Sequence, residues 1–333
     1  MRDVPREIPY PSEVRWVFGT TTPKKGQRSK PYAIHWRDIF ASMQSRRNEK
    51  CRRILARLFV VLGCLGIAPA QVHLQFRQLK KEVIQTRLQD FSQDNRERET
   101  TLKKLFAASG CQNDQLTEQP VRNLPPNLIC VLSGKTGEVI VVGAHTDHVW
   151  QGTGVVDNWS GASLLPSLYY SLSAQPRQHT YIFIGFTDEE EGMVGSDFYV
   201  RHLTAEQRDK IKAMVNMDTL GLGPTKVWSS HADKELLRSL AVVAQALKLP
   251  IAGVNVDRVG STDSESFAHN KIPSITIHSL TQETLPILHN PRDRLSAIKM
   301  DDYYSSYVLI AGYLAYLDEA LGRQAQPTQK SSP

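Results

Sequence analysis

The 333 residues contain no visible internal repeat, only four cysteines and no basic stripe interleaved with aromatics. Without a repeat, no array of stacked units is expected. With so few cysteines, the fold must rest on a hydrophobic core rather than on a disulfide framework. Hydrophobic residues make up 41% of the chain, enough for one large domain. The net charge of +6 does not point to nucleic acid. Residues 1–70 hold 14 Lys/Arg against 5 Asp/Glu, whereas the remainder holds 26 against 29. The basicity belongs to the N-terminal stretch and the body is slightly acidic, so no nucleic-acid partner is expected.

Residues 1–42 carry Pro5, Pro9, Pro11, Pro23 and Pro31 and no sustained period. They read as an unstructured leader, or as residues upstream of a true start at Met43. From Met43 a cationic stretch (Arg46, Arg47, Lys50, Arg52, Arg53, Arg57) precedes apolar residues 58–67 and then Ala68-Pro69-Ala70. This is the layout of a signal peptide ending at Ala70, over residues 43–70, so a secreted or periplasmic protein is expected. The apolar run falls short of the roughly 20 residues of a spanning helix, so no stable membrane span is expected in the mature chain. A lipid anchor at Cys64 is the weaker alternative. Cys111 and Cys130 would remain after cleavage, either as a disulfide or as two buried thiols.

In the body, residues 71–323, short apolar runs alternate with helical periodicities. Strands are expected over 128–132, 139–144, 181–186, 213–217, 251–256 and 274–278. Helices are expected around Ile84–Leu88, up to Gly110, over 160–172 with a kink or late start at Pro166, after the capping box at Thr204, over 236–247 and over 303–321. The alternation implies an α/β fold: three layers, α/β/α, around a mainly parallel, mixed central sheet. Residues 324–333 are polar and read as a disordered tail.

Two of the apolar runs end in metal-binding residue types. His145 and Asp147 follow the first; Asp188, Glu189, Glu190 and Glu191 follow the second. Asp157 opens Asp-Asn-Trp-Ser-Gly, Asp218 ends the 213–217 strand, and His289 lies in a later loop. Singly, each has a bland role as a cap, a strand-end residue or a solvated turn. Together they would gather at the carboxyl edge of the sheet, where open α/β folds bind ligands. Two imidazoles and three carboxylates match the mixed ligands of catalytic zinc. Five ligands exceed one open tetrahedral site and suit two ions about 3.5–4 Å apart sharing a carboxylate.

The order His145-x-Asp147, Asp157-Asn158-Trp159-Ser160-Gly161, Glu189-Glu190-x-Gly192-x-x-Gly195-Ser196, Asn216-Met217-Asp218 and a late histidine resembles the co-catalytic zinc aminopeptidases. These are the aminopeptidase Y and bacterial leucyl aminopeptidase type, metallopeptidase family twenty-eight, and the resemblance spans residues 100–320. It implies that Asp157 bridges two zinc ions, with His145 and Asp218 completing one site and Glu190 and His289 the other. Cobalt or manganese can share such ligands. By the same resemblance Asp147 orients His145 and Glu189 is the general base, hydrolysing N-terminal residues from a peptide substrate. Asp293 would orient His289, which is preferred over His278 as the last ligand. His148 reads as a residue beside the ligands and Glu191 as solvent-facing. Ser264 stands where the family often has histidine, a departure that bears on the substrate pocket, and Asp263 beside it reads as structural. A single-zinc glutaminyl-cyclase-like acyltransferase and a carboxypeptidase acting on acidic dipeptides are the alternatives.

Overall fold

The computed structural model describes residues 6–9, 71–256 and 260–324. The leader, the signal-peptide segment and residues 325–333 of the tail therefore lie outside the described residues. The exception is strand β1, Arg6–Pro9, which pairs antiparallel with β2, Gln71–Leu74.

The body is built on an eight-stranded sheet. Its strands are β3 (Leu116–Gln119), β4 (Asn127–Leu132), β5 (Val139–His145), β6 (Thr180–Phe186), β7 (Ile211–Met217), β8 (Lys226–Val227), β9 (Ala252–Gly253) and β10 (Ser274–His278), in the spatial order β3-β4-β6-β5-β7-β10-β8-β9. Strands β6, β5, β7 and β10 run parallel, and β4 and β8 flank them antiparallel.

Side chains alternate across the central strands, and both faces are covered. Ile140, Val142, Ala144, Phe183, Ala213, Val215, Ile275 and Ile277 enter one core. Val141, Ile184, Phe186 and Met214 enter the other. Gly143 occupies the second face because a Cβ there would lie 2.5 Å from the Phe186 ring and 2.9 Å from Met214.

Helices α1 (Lys81–Gln89), α2 (Asn95–Ala108), α3 (Leu165–Ser173), α6 (Lys234–Leu247) and α8 (Met300–Gln324) cover the larger core. Tyr199 and Val200 of α4 (Val194–Arg201) and Phe267 of α7 (Ser264–His269) cover the smaller one. Between them in sequence, α5 (Ala205–Lys210) starts at the capping box of Thr204 and Gln207. No helix among the described residues is long and apolar enough to cross a membrane.

Two expectations are adjusted. The 160–172 helix starts as one turn, Ser160–Ala162, and restarts at Leu165 with Pro166 in its first turn, where a missing N–H costs nothing. The strand expected over 251–256 shrinks to Ala252–Gly253, because its sheet neighbour, β8, is itself two residues long.

Cys111, just after α2, and Cys130 in β4 form a disulfide with Cα atoms 6.3 Å apart and a sequence separation of 19. Replacing both by serine should lower unfolding stability by about 2–4 kcal/mol, because the unfolded chain regains the closed loop's freedom. Urea titration of the variant against wild type checks this, and a midpoint unchanged at constant slope would contradict it.

Candidate metal centre

The sheet order delivers the site. Strand β5 lies between β6 and β7 and all three are parallel, so their carboxyl ends meet. His145 ends β5, Glu189 and Glu190 follow β6, and Asp218 follows β7. Asp157 arrives from the crossover after β5, on the irregular turn Val155–Trp159.

That turn is pinned by its own sequence. The Asn158 side chain donates to the Met217 carbonyl at 2.9 Å and accepts from the amides of Gly161 and Thr219. Ser160 Oγ accepts from the Leu220 amide at 2.8 Å, and the buried Trp159 indole donates to the Arg87 carbonyl. Asn158 and Ser160 thus lock the Asp157 turn against the end of β7, beside Asp218.

Asp157 faces both imidazoles. Its Oδ1 lies 3.3 Å from Nε2 of His145 and its Oδ2 lies 3.4 Å from Nε2 of His289. Asp218 Oδ1 stands 3.6 Å from Nε2 of His145, and Glu190 Oε2 stands 2.8 Å from Nε2 of His289. The five residues singled out in the sequence therefore meet in two groups that share one carboxylate. His145, Asp157 and Glu190 each offer a donor atom within 4.8 Å of the others, and Oε1 of Glu190 is buried without a hydrogen-bond partner. Converging oxygen and nitrogen donors with an unsatisfied buried oxygen fit a hard or borderline divalent cation such as zinc.

The two glutamates diverge. Glu189 Oε2 points towards His145, 3.9 Å from Nε2, whereas Glu190 turns to His289. Asp147 fixes this turn by accepting the Glu189 and Glu190 amides at 3.1 and 3.2 Å. The same carboxylate lies 3.4 Å from Nδ1 of His145, on the side away from the other donors. Glu191 is exposed.

Asp293 differs from expectation. Its two oxygens take the amide hydrogens of Val156 and Asp157, so it holds the backbone that carries Asp157 rather than the His289 ring. Among the described residues no hydrogen bond or ion pair joins it to His289. Thr262, unremarked in the sequence, donates to Asp218 Oδ2 at 2.9 Å and accepts from Asn216. His278 is buried with both nitrogens occupied, Nε2 by the Val254 carbonyl and Nδ1 by the Leu280 amide, and burial pushes it down to about 4. His148 is engaged by the carbonyls of Val149 and Gln93. Ser264 is paired with Thr276, and Asp263 is fully buried behind the site.

Burial and the imidazole–carboxylate contacts compete in the electrostatics. It pushes the Glu189 carboxyl well above the usual range, reinforced by Asp263, Asp218 and Asp157. Burial raises Asp263 to about 7 and Glu190 in the same direction. For Asp157 burial is outweighed by the His145 and His289 imidazoles, which hold it below the usual range. His145 is likewise raised against its burial by Glu189 and three aspartates, and Asp157 and Glu190 bring His289 to about 10.

The His289 shift gives a test on metal-free protein. A histidine raised from 6.5 to about 10 keeps a proton in the folded state that the unfolded state releases. Its stabilisation is present below 6.5 and is lost as pH rises towards 10. In chelator-treated protein the melting temperature should fall across that window, and His289→Gln should flatten the fall. Equal slopes for the two proteins would contradict this.

The chain matches peptidase family M28 over residues 127–313. It is 24% identical to "Aminopeptidase YwaD" of Bacillus subtilis over 272 residues, 79% of this chain and 56% of that protein. It is 38% identical to an "Aminopeptidase" of Pseudomonas aeruginosa over 88 residues, 26% of this chain and 16% of that one. The chain thus spans between 16% and 56% of the length of these two relatives. Among solved structures, LapB from Legionella pneumophila superposes with a TM-score of 0.60 at 19% identity, covering 72% of this chain and 71% of that one. A glutaminyl cyclase from an Acidobacteriales bacterium gives 0.53 at 18% identity, covering 67% and 85%. These two likenesses show a common fold. With more than half of its residues in the match and the five converging side chains inside it, this chain belongs to peptidase family M28.

Proposed function

We propose that the protein is an exported zinc-dependent aminopeptidase that removes N-terminal residues from peptides. The observation that carries this reading is the Asp157 carboxylate, with one oxygen towards His145 and the other towards His289. His145, Asp218 and Asp157 would hold one ion; Glu190, His289 and Asp157 would hold the second. When bound, the ions supply Lewis acidity to the scissile carbonyl and to the attacking water.

The remaining steps belong to the chain. Glu189 sits in a buried, carboxylate-rich setting that raises its proton affinity, which suits a group that takes the proton of water and returns it to the leaving amine. Asp147 keeps it in place through the Glu189 amide. A cavity of about 380 Å³ opens beside the four acidic residues and is walled by Trp228, Val256, Leu280, Leu285 and Leu288. These side chains would exclude water and receive an apolar residue at the cleaved end. Export is supported by the signal-peptide layout before Gln71 and by the Cys111–Cys130 disulfide, which persists in oxidising compartments.

The test is digestion of matched free-amine and N-acetylated peptides, with and without chelator, read by mass spectrometry. Chelator-sensitive loss of single N-terminal residues is expected from free-amine peptides alone. Glu189→Gln should lower kcat by about 10²–10⁴-fold with the metal still bound. Trimming from the C-terminus would overturn the polarity, and cyclised N-terminal glutamine without hydrolysis would replace the reaction class.

A further inference from the structure

Arg98 lies in the first turn of α2 and is fully buried. It forms no ion pair within 4.0 Å among the described residues. Its guanidinium instead binds three backbone carbonyls from three segments. Nε donates to Ser92 at 2.7 Å, Nη1 to Thr146 at 3.1 Å and Nη2 to Thr153 at 2.6 Å. Its plane also lies near the Trp159 ring, with Cζ 5.8 Å from the centroid.

The positions of those carbonyls matter. Thr146 sits between His145 and Asp147, at the end of β5. Thr153 opens the loop that leads to Asp157, and its amide and hydroxyl are both bound to the Asp293 carbonyl. The chain passes close by at Gly154, with φ +57°, where a Cβ would lie 2.3 Å from His148 Cβ and 2.8 Å from Arg98 Nη2. Burial lowers Arg98 to about 10, opposed by Asp293, Asp147, Asp157 and Glu190, so the group is charged at neutral pH.

We propose that Arg98 is a positioning residue for the metal centre, clamping the strand end that carries His145 and Asp147 to the loop that carries Asp157. The inference rests on the metal-centre reading above and concerns a residue outside the family match, which begins at residue 127. A planar fork with fixed N–H directions can hold three carbonyls at once, and a lysine ammonium on a flexible stem does not reproduce it. The sign of the effect separates positioning from charge. A bare cation behind the site repels metal ions, so if charge alone mattered its removal would tighten zinc binding. A clamp that sets the spacing of His145 and Asp157 predicts weaker binding when it is lost.

The experiment compares the full chain with Arg98→Met and Arg98→Lys. Zinc stoichiometry and dissociation constants are read by chelator competition, and the melting temperature is read on zinc-free protein. Wild type should bind two equivalents, and both variants should bind about 10–100-fold more weakly, the range seen when supporting groups of metal ligands are removed. Arg98→Lys keeps the charge and is the gentler change should Arg98→Met not fold. Unchanged or tighter zinc binding in the folded variants, with only the zinc-free melting temperature lowered, overturns the proposal and leaves Arg98 a structural residue. Wild-type protein that binds no zinc overturns the metal centre, and this proposal with it.

Discussion

Seven carboxylates crowd one end of the sheet: Asp147, Asp157, Glu189, Glu190, Asp218, Asp263 and Asp293. Four of them are buried residues and the other three expose at most 15% of their side chains. So dense a group of like charges resists assembly unless each member is given a partner. The surrounding structure supplies partners in three forms. Backbone amides go to Asp147 and Asp293, hydroxyls to Asp218, and imidazoles to Asp157 and Glu190. For Asp263 burial outweighs the nearby Ser196 hydroxyl and the His145 ring, and there the carboxyl's proton affinity rises instead.

The allocation follows position. The carboxylates that receive two backbone amides are those that point away from the shared donors, and they shape the chain that carries the others. Asp147 sets the turn of Glu189 and Glu190, and Asp293 sets the turn of Asp157. Asp218 is held by the hydroxyls of Thr219 and Thr262. Asp157, Glu189 and Glu190 are instead aimed by the backbone that the amide-bound carboxylates fix, and need few hydrogen bonds of their own. Fewer bonds leave their oxygens open to a cation, and the unsatisfied Oε1 of Glu190 is the visible consequence.

Much of this was legible in the chain because the central strands are covered on both faces. Uninterrupted apolar runs marked β4, β5, β6, β7 and β10 to within two residues, and residue types that can bind metal at the ends of three parallel strands marked the candidate site. The short strands β3, β8 and β9, at or next to the sheet edges, escaped or shrank, since pairs of two to four residues are set by neighbours rather than by their own pattern. Helices α4 and α7 escaped for a similar reason, being short and packed on the smaller core. Asp293 was not legible because the resemblance to a His-x-x-x-Asp segment ties it to His289, whereas its side-chain contacts are with the amides of Val156 and Asp157. Arg98 carried no signal at all, since its partners are main-chain carbonyls that any residue can supply.

The same contrast explains why family resemblance and physical reading diverge in what they can find. Motifs record side-chain identities, and here His145, Asp157, Glu189, Glu190, Asp218 and His289 all fall within the matched stretch. Positioning through the backbone leaves no such record, because a carbonyl has no residue identity. Asn158 shows the intermediate case: its side chain meets only backbone groups and a neighbouring hydroxyl, yet it stands next to Asp157 and so travels with the motif. Arg98 performs a comparable task from a separate helix, 48 residues before Thr146, and only the folded chain brings the two together.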